Sequence, residues 1–303
     1  METKKNAGKD KEIKTNSWQA WILAARPKTL TAAWIPVIMA SSLAYADGVM
    51  KWKPALLCLI FAALMQIAAN FINDLIDFQK GTDRSDRLGP ERACAMGWIT
   101  PTAMKVGIVI TLLVACSVGL LLLCWGTVWL IGLGAACVIF AFLYTTMLSY
   151  LGLGDLLVFV FFGFVPVLGT YYVQAGTVTW NGVFCSFASG LVIDLLLVIN
   201  NYRDRDTDRL SGKRTLISLK GEIFGNRQYL LTGIMAWLCC GLLAYRGYPL
   251  AFLLPIVFLW LHVNTWKQMV AIREGKGLNV ILGKTSRNML LFGVLVSLGL
   301  LLG

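Results

Sequence analysis

Apolar residues run in long stretches along this chain, broken by short polar connections. The stretches at 29–46, 55–78, 106–124, 128–147, 153–173, 183–200, 229–244, 250–266 and 289–302 each approach the ~20 residues a helix needs to cross a bilayer. The pattern predicts an all-α, polytopic membrane protein with about nine transmembrane helices. Pro54, Pro101 and Pro249 stand near segment starts, where a missing N–H costs least. Pro36, Pro166 and Pro255 fall inside segments and predict kinks. Residues 1–16 are rich in Lys and lack an apolar core, so they read as a disordered cytoplasmic tail rather than a cleavable signal. Residues 17–303 then form a single transmembrane domain.

Composition sharpens this reading. The chain is 57% hydrophobic and 14% charged, more apolar surface than a soluble domain can hide. A net charge of +11 would suggest nucleic acid in a soluble protein; in a membrane protein it reports basic cytoplasmic loops, so no nucleic-acid partner is expected. With the N-terminus placed in the cytoplasm, only Lys51, Lys53 and Arg246 of the 27 Lys and Arg residues fall on the far side. That asymmetry predicts a multi-pass protein of the inner (plasma) membrane. The eight cysteines lie mostly in apolar runs without a CxxC pair and read as packing residues.

Two polar connections do not fit the rule that such loops are merely basic. NFINDLIDFQKGTDRSDRLGPER, at 70–92, contains Asp74, Asp77, Asp83 and Asp86. NNYRDRDTDRLSGKRTL, at 200–216, contains Asp204, Asp206 and Asp208. Each leads out of the second helix of a set of four, which suggests a duplicated half. Asn73 and Asp77 stack on one helical face, as do Asn200, Asp204 and Asp208; Asp74 and Asp206 point elsewhere. Carboxylates held close together repel one another, and cations relieve that repulsion. Oxygen-only ligands suit Mg²⁺, which binds through a few carboxylates and lets substrate phosphates complete its shell. Asp77, Asp83, Asp204 and Asp208 are the carboxylates so placed, with Asn73 and Asn200 on the same helical faces. Lys28, Lys80, Arg84, Arg203, Lys213 and Arg214 are candidate donors to a diphosphate. The active site belongs on the cytoplasmic side.

The spacings Asn73-x-x-x-Asp77-x-x-x-Gly81-x-Asp83 and Asn200-x-x-x-Asp204-x-x-x-Asp208 resemble the two signatures of the UbiA-type intramembrane aromatic prenyltransferases. RPKTL at 26–30, KGTDRSDRLGP at 80–90, LGLGD at 151–155 and GKRTL at 212–216 narrow the resemblance to the 1,4-dihydroxy-2-naphthoate polyprenyltransferases of menaquinone synthesis. The resemblance implies two Mg²⁺ ions on the diphosphate of a polyprenyl donor, ionisation of the allylic C–O bond and attack by dihydroxynaphthoate with loss of its carboxylate. Asn70, Asp74, Tyr144 and Asn201 become candidates for holding the aromatic acceptor. Phe161, Phe162, Phe164, Tyr171 and Tyr172 are aromatic faces that could steady a cation. One departure stands out. Many family members carry Tyr-x-x-x-Lys between the fourth and fifth segments, but here Leu148 follows Tyr144 at that spacing. Donor duty then passes to Lys28, Lys213 or Arg214.

Three residues stand outside this scheme. Asp155 reads as a helix N-cap, Asp194 as a charge deep in the sixth segment with no evident partner, and His262 as a packed imidazole. Competing readings are prenylation of 4-hydroxybenzoate, homogentisate or a porphyrin precursor, a divalent-cation-dependent transporter, and a phosphatidyltransferase. A transporter places its ionisable residues near the bilayer midplane, where only Asp194 lies. The Asp signature of the phosphatidyltransferases is missing from both loops.

Overall fold

A computed structural model describes residues 13–81 and 88–303, apart from the Ser149 side chain. The described chain is helical. Helix α1 (Trp18–Ala25) leads through a short 3-10 turn into α2 (Leu30–Ala46), followed by α3 (Trp52–Gln79), α4 (Pro101–Leu121) and α5 (Trp129–Thr146). Next come α6 (Gly154–Val158), a π-helical stretch (Phe159–Phe164) and α7 (Val165–Ala175), which together make one crossing. Helix α8 (Trp180–Arg203) ends in two short helices, α9 (Arg205–Leu210) and α10 (Leu216–Lys220). The chain closes with α11 (Glu222–Tyr245), α12 (Leu250–Leu253), α13 (Ile256–Ile272) and α14 (Leu278–Leu302). Among the described residues, nine helical segments are long and apolar enough to span a bilayer.

The apolar pattern located all nine segments but clipped their polar ends. The last helix begins at Leu278, a full three turns before the stretch that hydrophobicity marks out. Its early turns bury Leu278, Ile281, Thr285 and Asn288, a stripe at helical spacing that a hydropathy window averages away. In the same way α11 starts at Glu222 and buries Gly225 and Tyr229 in its first turns.

The three interior prolines behave differently. Helix α2 runs unbroken through Pro36. Pro255 falls at the break between α12 and α13. Pro166 follows the π-helical stretch, and its missing N–H leaves the Phe162 carbonyl without its helical donor. The Ser189 hydroxyl of α8 donates to that carbonyl at 3.1 Å. Close approach of the two helices needs glycine on both sides. A Cβ on Gly163 would come 2.6 Å from the Ser186 carbonyl, and one on Gly190 2.9 Å from the Phe159 carbonyl.

Most of the core surrounds α8, which packs on α11, α14 and the π-helical stretch. A separate cluster joins α1, α3 and α4 through Ala20, Phe71, Ile99 and Met104. Helix α5 is the least buried of the crossings. A cavity of about 570 Å³ lies between these two blocks. At the end of the bundle where α2 finishes, Asp47 accepts the hydroxyls of Tyr171 at 2.5 Å and Tyr248 at 2.6 Å, so one carboxylate ties α2 to α7 and to the turn before α12.

Tyr248→Phe deletes one of these bonds without emptying space. The expected loss is roughly 1.5–3 kcal/mol, the range for hydrogen bonds to charged groups. It should appear as a lower thermal midpoint in detergent, and an unchanged midpoint would remove the Asp47 latch from the fold's supports.

Candidate active site at two helix ends

Helices α3 and α8 are each second in a set of four crossings, so they run the same way through the bundle and end on the same side. Helix α3 stops at Gln79 because Gly81 takes a left-handed conformation, φ +66°. Asn73 in its last turns and Asn200 in the last turn of α8 both line the large cavity. The two acidic stretches therefore meet across one space. Tyr150 lies in the connection between α5 and α6; burial raises its phenol pKa, and the charges of Asp77 and Asp208 raise it further.

The carboxylates are held by cations and backbone groups. Arg92 Nη2 lies 2.7 Å from Asp77 Oδ2. Arg203 grips Asp204 through two bonds, Nε to Oδ1 at 2.8 Å and Nη2 to Oδ2 at 2.6 Å. Its remaining arm donates to Asn279 Oδ1 at 2.9 Å, while Asn279 Nδ2 donates to the Leu88 carbonyl at 2.8 Å. Asn279, at the start of α14, thereby joins the first acidic connection to the second. Asp208 lies 3.5 Å from Lys213, and its backbone N–H still bonds the Asp204 carbonyl at 2.7 Å although the helix breaks there.

Several expected site residues serve the walls instead. Asp74 accepts the backbone N–H groups of Ala93 and Cys94, both at 2.8 Å, and fastens the returning connection to α3. Asn70 donates to the Ala25 carbonyl at 2.9 Å and the Thr29 hydroxyl at 3.0 Å. Neither lines the cavity, and in the structure both act as anchors. Lys80 donates to the carbonyls of Thr145 and Thr146, where it satisfies the C-terminal end of α5, and it lies 4.3 Å above the Tyr150 ring. Arg203 is committed to Asp204 and Asn279, whereas Lys28 and Arg214 are exposed. Asp83, Arg84 and Asp86 lie outside the described residues.

Tyr144 lines the cavity, and the next residue, Thr145, donates its hydroxyl to Asn73 Oδ1 at 2.5 Å. Asn201 faces a separate small crevice that also touches Tyr144. Among the five aromatic candidates only Phe161 and Phe162 reach the cavity. Phe164 packs on Phe159 and Phe187, Tyr171 serves Asp47, and Tyr172 lies against Thr127. Beyond its polar end the cavity is walled by apolar groups and reaches Val37, Cys58, Leu122 and Val173, which pack together.

Asp155 is not an N-cap: it sits in the first turn of α6, where Gln228 Nε2 donates to its Oδ1 at 2.6 Å. His262 stacks between Tyr229 and Phe258, as a packed imidazole should. Arg92 and Asn279 escaped the sequence reading. Arg92 is one basic residue among many in that connection, and Asn279 precedes the last apolar stretch.

Among the described residues no three His, Cys, Asp or Glu side chains come together as a ready-made metal cage. The donor set nevertheless fits a hard cation that takes one or two carboxylates and completes its shell from phosphate and water. Asp208 Oδ2 is buried without a hydrogen-bond partner, a carboxylate oxygen with capacity to spare. Burial pushes the Asp208 carboxyl up to about 6 despite the nearby Lys213 ammonium.

Residues 33–277 match the model of the UbiA prenyltransferase family. The chain is 36% identical over 296 residues to a 1,4-dihydroxy-2-naphthoate octaprenyltransferase of Escherichia coli (strain K12), covering 94% of this chain and 96% of that one. It is 34% identical over 299 residues to the protein of the same name from Mycobacterium tuberculosis (strain ATCC 25618 / H37Rv), covering 95% and 98%. The fold matches a UbiA homolog from Aeropyrum pernix K1 with a TM-score of 0.68 at 16% identity, over 89% of this chain and 97% of that one. It also matches a digeranylgeranylglyceryl phosphate synthase with a TM-score of 0.64 at 15% identity, over 94% and 99%.

A raised carboxyl pKa is stabilising while the group is neutral, and that stabilisation is lost as pH rises from the ordinary 3.8 through about 6. A divalent cation should recover it. Mg²⁺ is therefore expected to raise the thermal midpoint at pH 7.5 and much less at pH 5, with the difference abolished in Asp208→Asn. Equal shifts at both pH values would place the cation away from Asp208.

Proposed function

The chain belongs to the UbiA prenyltransferase family and is a multi-pass membrane enzyme that transfers a prenyl group to an aromatic acceptor; from that premise we propose a particular reaction. The donor is a polyprenyl diphosphate and the acceptor is 1,4-dihydroxy-2-naphthoate. The carboxylate of the acceptor leaves as carbon dioxide and the product is demethylmenaquinol. The site faces the cytoplasm in this reading, which the Lys and Arg asymmetry of the connections supports.

One observation carries this reading: Asn73 and Asn200, each a turn before a carboxylate, border the polar end of the same apolar cavity. A donor of this kind has a charged head and an apolar tail, and the cavity has the same polarity along its length. Asp77, Asp204 and Asp208, with Asp83, Asn73 and Asn200, would hold Mg²⁺. Mg²⁺ when bound supplies neutralising charge for a diphosphate leaving group.

The chain's own residues do the rest. Lys213 lies beside Asp208, Arg214 follows it, and Lys28 is exposed; these are the donors for diphosphate oxygens. Arg92 and Arg203 balance the carboxylates and keep them from repelling one another. The apolar walls exclude water from the allylic carbon, which would otherwise be hydrolysed. Phe161 and Phe162 present aromatic faces to positive charge developing there.

In membranes supplied with labelled polyprenyl diphosphate and a panel of aromatic acids, prenylated product should form with dihydroxynaphthoate and require Mg²⁺. Asp77→Ala and Asp204→Ala should each lose roughly 100-fold or more in rate while inserting normally. Full activity in either variant would take that residue out of the chemistry, and product with a different acid alone would replace the acceptor.

A further inference from the structure

Two sequence runs that lie far apart, LGLGD at 151–155 and GKRTL at 212–216, meet in the folded chain. The Arg214 N–H donates to the Tyr150 carbonyl at 3.2 Å. A Cβ on Gly152, whose φ is +78°, would come 2.7 Å from the Arg214 carbonyl oxygen. A Cβ on Gly154 would come 3.3 Å from the Leu197 side chain. Glycine is thus required at Gly152 for this approach. Between the runs lies a crevice of about 10 Å³. That is the space of roughly one water-sized oxygen.

The crevice is bordered by polar and apolar groups together. Asp155, Asn201, Lys213 and Thr215 line it, and Tyr144 and Leu197 separate it from the polar end of the large cavity. Asp155 already accepts the Gln228 amide, but a carboxylate has about four lone-pair sites, so capacity remains. The Lys213 ammonium has three donors, of which one direction points to Asp208. A carboxylate acceptor and an ammonium donor around a one-oxygen space suit a group that both donates and accepts, which is a hydroxyl. A carboxylate substituent is too large for the space. It would also meet the carboxylate of Asp155.

We propose that this crevice seats a ring hydroxyl of the aromatic acceptor, which donates to Asp155 and accepts from Lys213 while the ring lies beside Tyr144 and Leu197. The inference rests on the aromatic prenyl-transfer reading above. It makes Asp155 and the two glycines of its run determinants of which acceptor is used. The acceptor enters the polar end of the cavity edge-on, and the acid-bearing edge of its ring is left facing away from Asp155.

The test uses the full chain in detergent with the same polyprenyl diphosphate throughout. The acceptor is compared with its analogue in which the seated hydroxyl is replaced by hydrogen. Asp155→Ala should raise the acceptor KM about 10-fold or more and leave the donor KM unchanged. Asp155→Asn, which keeps an acceptor oxygen, should fall between. The analogue should bind the native chain as weakly as the full acceptor binds Asp155→Ala, and Asp155→Ala should weaken it no further. Gln228→Ala removes the helix-to-helix bond but not the crevice, and should leave the acceptor KM near the native value. Quenching of tryptophan fluorescence by acceptor alone should give the same ranking without donor or cation. Equal losses for acceptor and analogue, or an effect of Gln228→Ala matching that of Asp155→Ala, would overturn the crevice assignment while the prenyl-transfer reading stands. Absence of transfer by the native chain to any hydroxylated aromatic would overturn both.

Discussion

Negative charge at the edge of an apolar cavity has to be balanced, and the organisation of this protein follows from how that is done. Carboxylates at the ends of α3 and α8 cannot share a space without positive charge or backbone donors beside them. Arg92 supplies it for Asp77, Arg203 for Asp204 and Lys213 for Asp208. Asp74 is satisfied by two backbone N–H groups instead. Apart from Arg203, which ends α8, these partners come from the connections, so the acids help fix the course of the polar chain around them. Asn279 completes the arrangement by bonding both Arg203 and the Leu88 carbonyl, which links the last helix to both acidic stretches.

The apolar part of the molecule divides accordingly. The block around α8 is tightly packed, with Gly163 and Gly190 allowing two helices to touch, and it holds the second acidic end rigidly. The side formed by α5 is thinly packed, and much of that helix between Leu130 and Tyr144 lines the cavity. The cavity lies between a firm wall and a loose one, with Asn73 and Asn200 at its polar end and Val37, Cys58, Leu122 and Val173 at the other. A loose wall suits a long flexible tail, because admitting one then disturbs little packing.

Much of this was legible in the residues. Long apolar runs marked every crossing, and the Asn-x-x-x-Asp spacings picked out Asn73 and Asn200, which do share a cavity. What hydropathy could not show was a buried stripe inside a polar stretch, so the first turns of α14 and with them Asn279 were missed. Residue type alone could not separate a carboxylate paired with a cation from one that holds a loop. Asp74 and Asp77 are close neighbours on α3, and only the position of the Ala93–Cys94 backbone decides that Asp74 is an anchor. Lys80 has a partner that residue type does not reveal: it lies near the end of α5 and donates to two carbonyls there. Asp155 looked like an N-cap because it follows Gly154, but Leu153 takes that place and Gln228 reaches across from α11.

The central claim is that both acidic ends act on one ligand together, and the most direct measurement is electron paramagnetic resonance of bound Mn²⁺. With a non-hydrolysable polyprenyl diphosphate analogue present, two Mn²⁺ per chain should give a spin-coupled spectrum, and Asp77→Ala and Asp204→Ala should each abolish the coupling. Two independent, uncoupled Mn²⁺ signals, each lost in only one variant, would contradict the account.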